Sequence, residues 1–148
     1  MLKIMKDRLK TCEQFRDNRS NPSVSEKGKT FQIDNKERNE VACVKIDDCV
    51  FNKKDGIKCD FLFEIAAKKK LFYVELKGSD IIKAIRQIGE TLKQTNCLYP
   101  NWNYEARIIA GSTVPASIYD RREFEILKKN CNGGQIKIHH KNLHIETL

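Results

Sequence analysis

Leu2, Met5, Leu9, Cys12 and Phe15 recur every three or four positions with charged residues between them. This is the spacing of one helical face, and it predicts a helix over residues 1–18 that packs on its own domain. Residues 18–30, NRSNPSVSEKGKT, hold Asn, Ser, Pro and Gly and almost nothing apolar, which predicts a flexible loop. The stretch 31–39 is ambiguous, with a short helix as one reading. Beyond it the period changes to two. Val41, Cys43, Lys45 and Asp47 alternate with Ala42, Val44 and Ile46, the pattern of a strand over 41–50. Asn52-Lys53-Lys54-Asp55-Gly56 reads as a hairpin turn, because Asp-Gly tolerates positive φ. A second strand over 58–65, a turn over 66–70 and a third strand over 71–77 follow. Ser79 or Asp80 suits the N-cap of a helix ending near Asn96, with Ile81, Ile85, Ile88 and Leu92 as its apolar stripe. A fourth strand over 106–110, a helix over 119–130 and a short strand over 135–140 complete the chain.

The order is helix, three meandering strands, helix, strand, helix, short strand. The passage from the third strand through a helix to the fourth has the form of a crossover unit. The expected class is α/β (α+β), with a mixed central sheet flanked by helices. Two regions are expected: an N-terminal helix and flexible arm over 1–30, and one domain over 31–148. A chain of 148 residues suffices for a single core.

Composition adds three constraints. There is no apolar run of about 18 residues to span a membrane. The first eight residues are charged throughout and lack a signal peptide's apolar stretch, so a cytoplasmic protein is expected. Lys and Arg number 28 against 20 Asp and Glu, a formal charge of +8 that favours an anionic partner, most commonly nucleic acid. Six cysteines, at 12, 43, 49, 59, 97 and 131, include no C-x-x-C pair, and reduced, mostly buried thiols are expected.

The chemistry concentrates between Cys59 and Gln87. Asp60 stands in CDFLF, and Glu75 and Lys77 stand in FYVELKG. Alternation along a strand sends Glu75 and Lys77 to one side and Phe72, Val74 and Leu76 to the other. Asp60 falls on the neighbouring strand, where its carboxylate can approach that of Glu75. Two adjacent carboxylates suit a hard divalent cation. Mg²⁺ often takes only one or two of them and completes its octahedron with water and substrate phosphate. The ion would polarise a phosphodiester and acidify water. Asp60, Glu75 and the backbone carbonyl of Leu76 are the candidate ligands, and Lys77 would orient the water or offset growing charge on the phosphate. Glu-x-Lys by itself is a common tripeptide, usually a solvated pair worth under about 1 kcal/mol. Its apolar surroundings, where charges are costly without a role, and the second carboxylate single this copy out.

Asp60, fourteen intervening residues, then Glu75-Leu76-Lys77 resembles the PD-(D/E)xK nuclease superfamily, with Cys59 where the family name has proline. The resemblance covers the layout from about 31 to 116. It implies a restriction endonuclease-like or Holliday-junction-resolvase-like core and a Mg²⁺-dependent (endo)nuclease, with Mn²⁺ as a substitute ion and DNA as the expected polymer. It implies a further acid from the first core helix, Glu40 with Glu37 in reserve, as catalytic and metal residue. It also implies a glutamine on the helix after the motif, which is Gln87.

Other features are less specific. Lys53-Lys54 and Lys68-Lys69-Lys70 sit at turns, where they could meet phosphates or simply be solvated. Trp102 and Tyr104 fit core packing better than base stacking. His139, His140 and His144 match no zinc signature and read as surface or edge residues. Arg107, Arg121 and Arg122 have no direction fixed by the sequence. A domain this small has little area to read a long site, since specific recognition buries roughly 1,000–2,500 Å². Structure selection, a homodimer or a partner protein is therefore expected. The alternative is a catalytically silent subunit of the same fold that binds nucleic acid or another protein.

Overall fold

The computed structural model describes residues 2–148, apart from the side chains of Lys53 and Lys77. Its elements are α1 (Leu2–Thr11), β1 (Glu13–Asp17), β2 (Ser23–Glu26), β3 (Lys29–Asp34), β4 (Val41–Lys45), β5 (Phe61–Ile65), β6 (Lys70–Gly78), α2 (Ile81–Thr95), β7 (Asn103–Ala110), α3 (Arg122–Asn130), β8 (Ile136–His139) and β9 (Leu143–Thr147). Six strands form the main sheet in the order β1-β4-β5-β6-β7-β8, and β2-β3-β9 form a second, smaller sheet. Strands β1, β4, β5 and β6 run antiparallel, whereas β6, β7 and β8 are parallel. The main sheet is thus mixed. Among the described residues, no helix is long and apolar enough to cross a membrane.

The central strand β6 is apolar on both faces, as a strand covered twice must be. Leu71 and Tyr73 pack with Ile81, Ile85, Ile88 and Leu92, the expected stripe of α2. Phe72, Val74 and Leu76 pack with Phe31 and Ile33 of β3. The helix side also holds Leu9 of α1 and Phe124 and Leu127 of α3. Helices therefore cover one face of the main sheet and the small sheet covers the other. The mixed sheet with flanking helices is as expected, and the helices that pack on it lie on one face. The reason lies in 29–34, where Phe31 and Ile33 are buried and their neighbours half-buried, a period of two that makes a strand rather than a short helix.

The predicted loop over 18–30 contains β2. Lys27 (φ 49°) and Gly28 (φ 81°) both have positive φ, as the central pair of a two-residue hairpin loop between β2 and β3. Val24 is the only apolar residue of β2, so the strand leaves little trace in the hydropathy pattern. The first helix ends at Thr11, and β1 then pairs with β4, with Phe15 packing edge-on against Phe63. The connection from β4 to β5 is longer than a tight hairpin. It contains a short 3₁₀ turn at 53–55, capped reciprocally by Asn52 and Asp55 and left through Gly56 at φ 88°.

Cys12 and Cys49 form a disulfide, which corrects the expectation of six thiols. Cys43, Cys59 and Cys131 are buried thiols and Cys97 is exposed. Strand β9 was hidden because its alternation is inverted: His144 and Glu146 face inward while Leu143 and Ile145 are exposed. Its inward charges meet Arg107 of β7, which is 1% exposed. Arg107 is therefore a buried structural cation. His144 is buried and stacks on His139 with ring centroids 4.2 Å apart, so only His140 of the three is exposed.

Candidate active site

The β5–β6 ladder pairs Phe61 with Val74, which sets Asp60 across from Glu75 at the end of the pairing. Asp60 is fixed from three sides. Its amide donates to the Val74 carbonyl (3.1 Å), its carbonyl accepts from Ile46 N (2.9 Å), and its Oδ2 accepts from Leu76 N (2.8 Å). Glu75 is 7% exposed, and its Oε1 is buried without a hydrogen-bond partner. The two carboxyl groups face each other across the ladder and act on one another electrostatically.

Burial, which disfavours a bare carboxylate, raises the Asp60 carboxyl above its ordinary value, and the Leu76 amide opposes that rise. Burial and then the facing Asp60 charge raise Glu75 further. Glu26 and Asp47 add negative charge to both.

These residues line one cleft of about 250 Å³. Asp60, Glu75 and Leu76 come from the β5–β6 side, and Gln87 from α2. The Gln87 amide nitrogen is anchored on the Lys58 carbonyl (3.1 Å). Asp80 caps α2 by accepting from Lys83 N (3.0 Å), and both of those residues also border the cleft. Thr91 ties the strand side to the helix side: its Oγ1 accepts from Cys59 N (2.9 Å) and donates to the Gln87 carbonyl (2.8 Å). A larger cavity of about 500 Å³ lies between α2 and α3, beside Ile57, Ile85 and Leu127, and contains none of the four carboxylates.

Of the predicted residues, Asp60, Glu75, Leu76 and Gln87 come together. Lys77 lies on β6 by its backbone, and its side chain falls outside the described residues. Glu40 and Glu37 are corrected. Glu40 is 60% exposed on the extended run before β4 and pairs with Arg16 (3.0 Å). Glu37 pairs with Lys68 (3.6 Å) and is 70% exposed. Neither lines the cleft. The segment that was to carry a helix is β3 and a tight turn. Buried Asn35 holds that turn by donating to the Arg19 and Asn39 carbonyls and accepting from the Asn39 amide.

Two other acids reach the cleft instead: Glu26 from the end of β2, and Asp47 from the β4–β5 connection. Lys27 and Lys83 join them. Lys27-Gly28 was the sequence signal for Glu26 and Lys27, as a turn dipeptide that would place both at a hairpin tip. For Asp47 the sequence holds no comparable signal.

Among the described residues, no three His, Cys, Asp or Glu side chains converge into a ready-made metal cage. The donor set at Asp60 and Glu75 nevertheless fits a hard cation. Both groups are oxygen donors, they are adjacent, and one buried oxygen lacks any partner. No family model, curated protein or solved structure matches this chain.

Proposed function

We propose that the protein is a metal-dependent nuclease of the PD-(D/E)xK kind that hydrolyses phosphodiester bonds of nucleic acid, DNA above all. The observation that carries this reading is the Glu75 carboxylate, buried beside Asp60 with one oxygen unpartnered. A buried, unpaired carboxylate is costly, and a divalent cation is the partner its chemistry fits. The layout supports the reading as well. Antiparallel β4, β5 and β6, then α2, then β7 parallel to β6 is the order of a restriction endonuclease-like core. The small sheet covers the face of the main sheet opposite the helices.

Asp60 and Glu75 would hold Mg²⁺ or Mn²⁺, which when bound supplies Lewis acidity toward a phosphate oxygen and acidifies water. The Leu76 amide keeps Asp60 turned into the cleft. Gln87, anchored on Lys58, presents a polar amide on the opposite wall, where it can orient water or a phosphate oxygen. Lys83, on the first turn of α2, offers a cation to the phosphate, and Lys77 is assigned the same electrostatic task from β6. The basic balance of +8 suits a polyanionic substrate.

The test is cleavage of a panel of duplex, single-stranded and branched DNA and RNA, with Mg²⁺, Mn²⁺ or EDTA, by the parent and Glu75→Ala in parallel. Cutting that needs both the metal and Glu75 supports the assignment. A folded parent that binds the panel without cutting it would instead identify a silent binding subunit.

A further inference from the structure

We propose that Glu26 is a cation ligand carried on a closing hairpin tip: a divalent ion held by Asp60 and Glu75 draws Glu26 inward, and β2 with the Lys27-Gly28 turn then clamps over the cleft. This rests on the reading of Asp60 and Glu75 as a cation site.

Three observations lead to it. First, Glu26 Oε2 is buried without a hydrogen-bond partner, like Glu75 Oε1 in the same cleft. Two orphaned carboxylate oxygens facing one small space are each short of a positive neighbour, and a single cation supplies both. Secondly, the cleft is overcharged. Glu26, Asp47, Asp60, Glu75 and Asp80 line it against Lys27 and Lys83, and Glu26 and Asp47 both act electrostatically on the central pair. Like charges in so small a cleft repel one another, and a divalent ion reverses that repulsion.

Thirdly, no three acids converge on one point among the described residues, so a third carboxylate ligand requires movement. Asp60 and Glu75 are held by the main sheet, so the movement falls to the other wall. Glu26 ends a four-residue strand that pairs only with β3, at the two-residue Lys27-Gly28 turn. Of the hairpin, only β2 and this turn lie at the edge, since β3 pairs with β9 and buries Phe31 and Ile33; such an edge strand and turn shift at lower free-energy cost than the strands packed in the core.

The test is calorimetric titration of the full chain with MgCl₂ and MnCl₂, paired with hydrogen exchange at the amides of residues 23–30. The variants are Glu26→Gln, Glu75→Gln and, as a charge control outside the cleft, Glu125→Gln. The expected result has four parts. The parent binds the ion and gains hairpin protection. Glu75→Gln loses binding. Glu26→Gln binds at least about tenfold more weakly and gains no hairpin protection, since loss of one charged ligand is worth about 1.4 kcal/mol or more. Glu125→Gln matches the parent. If Glu26→Gln binds like the parent and the hairpin exchange is unmoved by the ion, the clamp is wrong while the Asp60–Glu75 site stands. If the parent binds neither ion, the cation reading itself fails and the clamp falls with it.

Discussion

Asp60 accepts its hydrogen bond from the amide of Leu76, so the peptide that follows Glu75 fixes the very carboxylate that crowds Glu75. Asp60 thereby keeps the more accessible negative charge, and Glu75 bears the larger penalty of burial beside it. The asymmetry makes Glu75 the residue whose cost is recovered only when a cation arrives.

Glu75→Gln should therefore stabilise the protein in EDTA. The Glu75 carboxyl is raised in the folded chain, so the fold holds a proton that the unfolded chain has released. Stability is then highest below the ordinary carboxylate range and falls as pH rises through the elevated value. Glutamine keeps the shape and removes the ionisation. Urea unfolding in EDTA should show the variant about 1–3 kcal/mol more stable than the parent at pH 8, with a smaller difference at pH 5. A variant of equal or lower stability at pH 8 would contradict the account of Glu75 as a carboxyl whose ionisation the fold penalises.

Thr91→Val tests how the site is held. The hydroxyl accepts from the Cys59 amide, the residue before Asp60, and donates to the carbonyl of Gln87. Valine has the same shape and leaves the buried Cys59 N–H unpaired, at a cost of about 1–3 kcal/mol. Thr91→Ser keeps the hydroxyl and should recover most of the loss. Cation affinity should follow the same order, because the bond positions Asp60 against α2. Equal affinity in Thr91→Val would mean that the β5–β6 ladder alone positions the carboxylate.

The residues legible in the sequence share a property: their signals are local. Asp60 directly precedes β5, Glu75 lies on β6 and Gln87 on α2, elements whose hydropathy pattern is strong, and the Asp80 cap announces where α2 begins. Glu40 failed because its assignment needed a helix in 31–39, and Phe31 and Ile33 alternate as a strand instead. Glu26 was missed because β2 has a single apolar residue and owes its existence to pairing with β3. Strand β9 was missed for a related reason, since its inward side chains are His144 and Glu146, and only the distant Arg107 makes that burial tolerable. Pairings of 39 residues' separation leave no trace in a local window.

The Cys12–Cys49 disulfide closes a loop of 37 residues that spans β1 through β4. Cross-linking such a loop removes unfolded-state entropy worth about 4 kcal/mol. Reduction with dithiothreitol should lower the urea midpoint correspondingly, and a Cys12→Ala, Cys49→Ser double variant should match the reduced parent while ignoring the reductant. Because the bond also anchors the connection that carries Asp47 and leads to Asp60, hydrogen exchange should rise within 46–60 in the reduced protein. An unchanged midpoint on verified reduction would show that the bond constrains nothing the fold does not already hold.

Acid should weaken the fold in two stages through the cluster behind β7. Burial, with His144 and Lys141 adding to it, lowers His139 to about 4, so neutral His139 favours the fold and that contribution is lost as pH falls from the ordinary histidine range toward 4. Burial alone would raise the Glu146 carboxyl, but the hydrogen bonds from Arg107 (2.7 and 2.8 Å) and His144 (2.8 Å) hold it down to about 2. A depressed carboxyl stabilises above its unfolded value and loses that contribution as pH falls toward the folded one, here about 1–3 kcal/mol between pH 5 and pH 2. Glu146→Leu strands the buried Arg107 guanidinium, which keeps only Glu105 at 3.2 Å among its carboxylate partners, and should cost about 3–5 kcal/mol at pH 7. Pairing it with Arg107→Met removes both charges and should return most of that loss, with a flatter acid limb. If the single and double variants lose the same stability, Arg107 is satisfied without Glu146, and the inward charges of β9 hold the small sheet in place by packing alone.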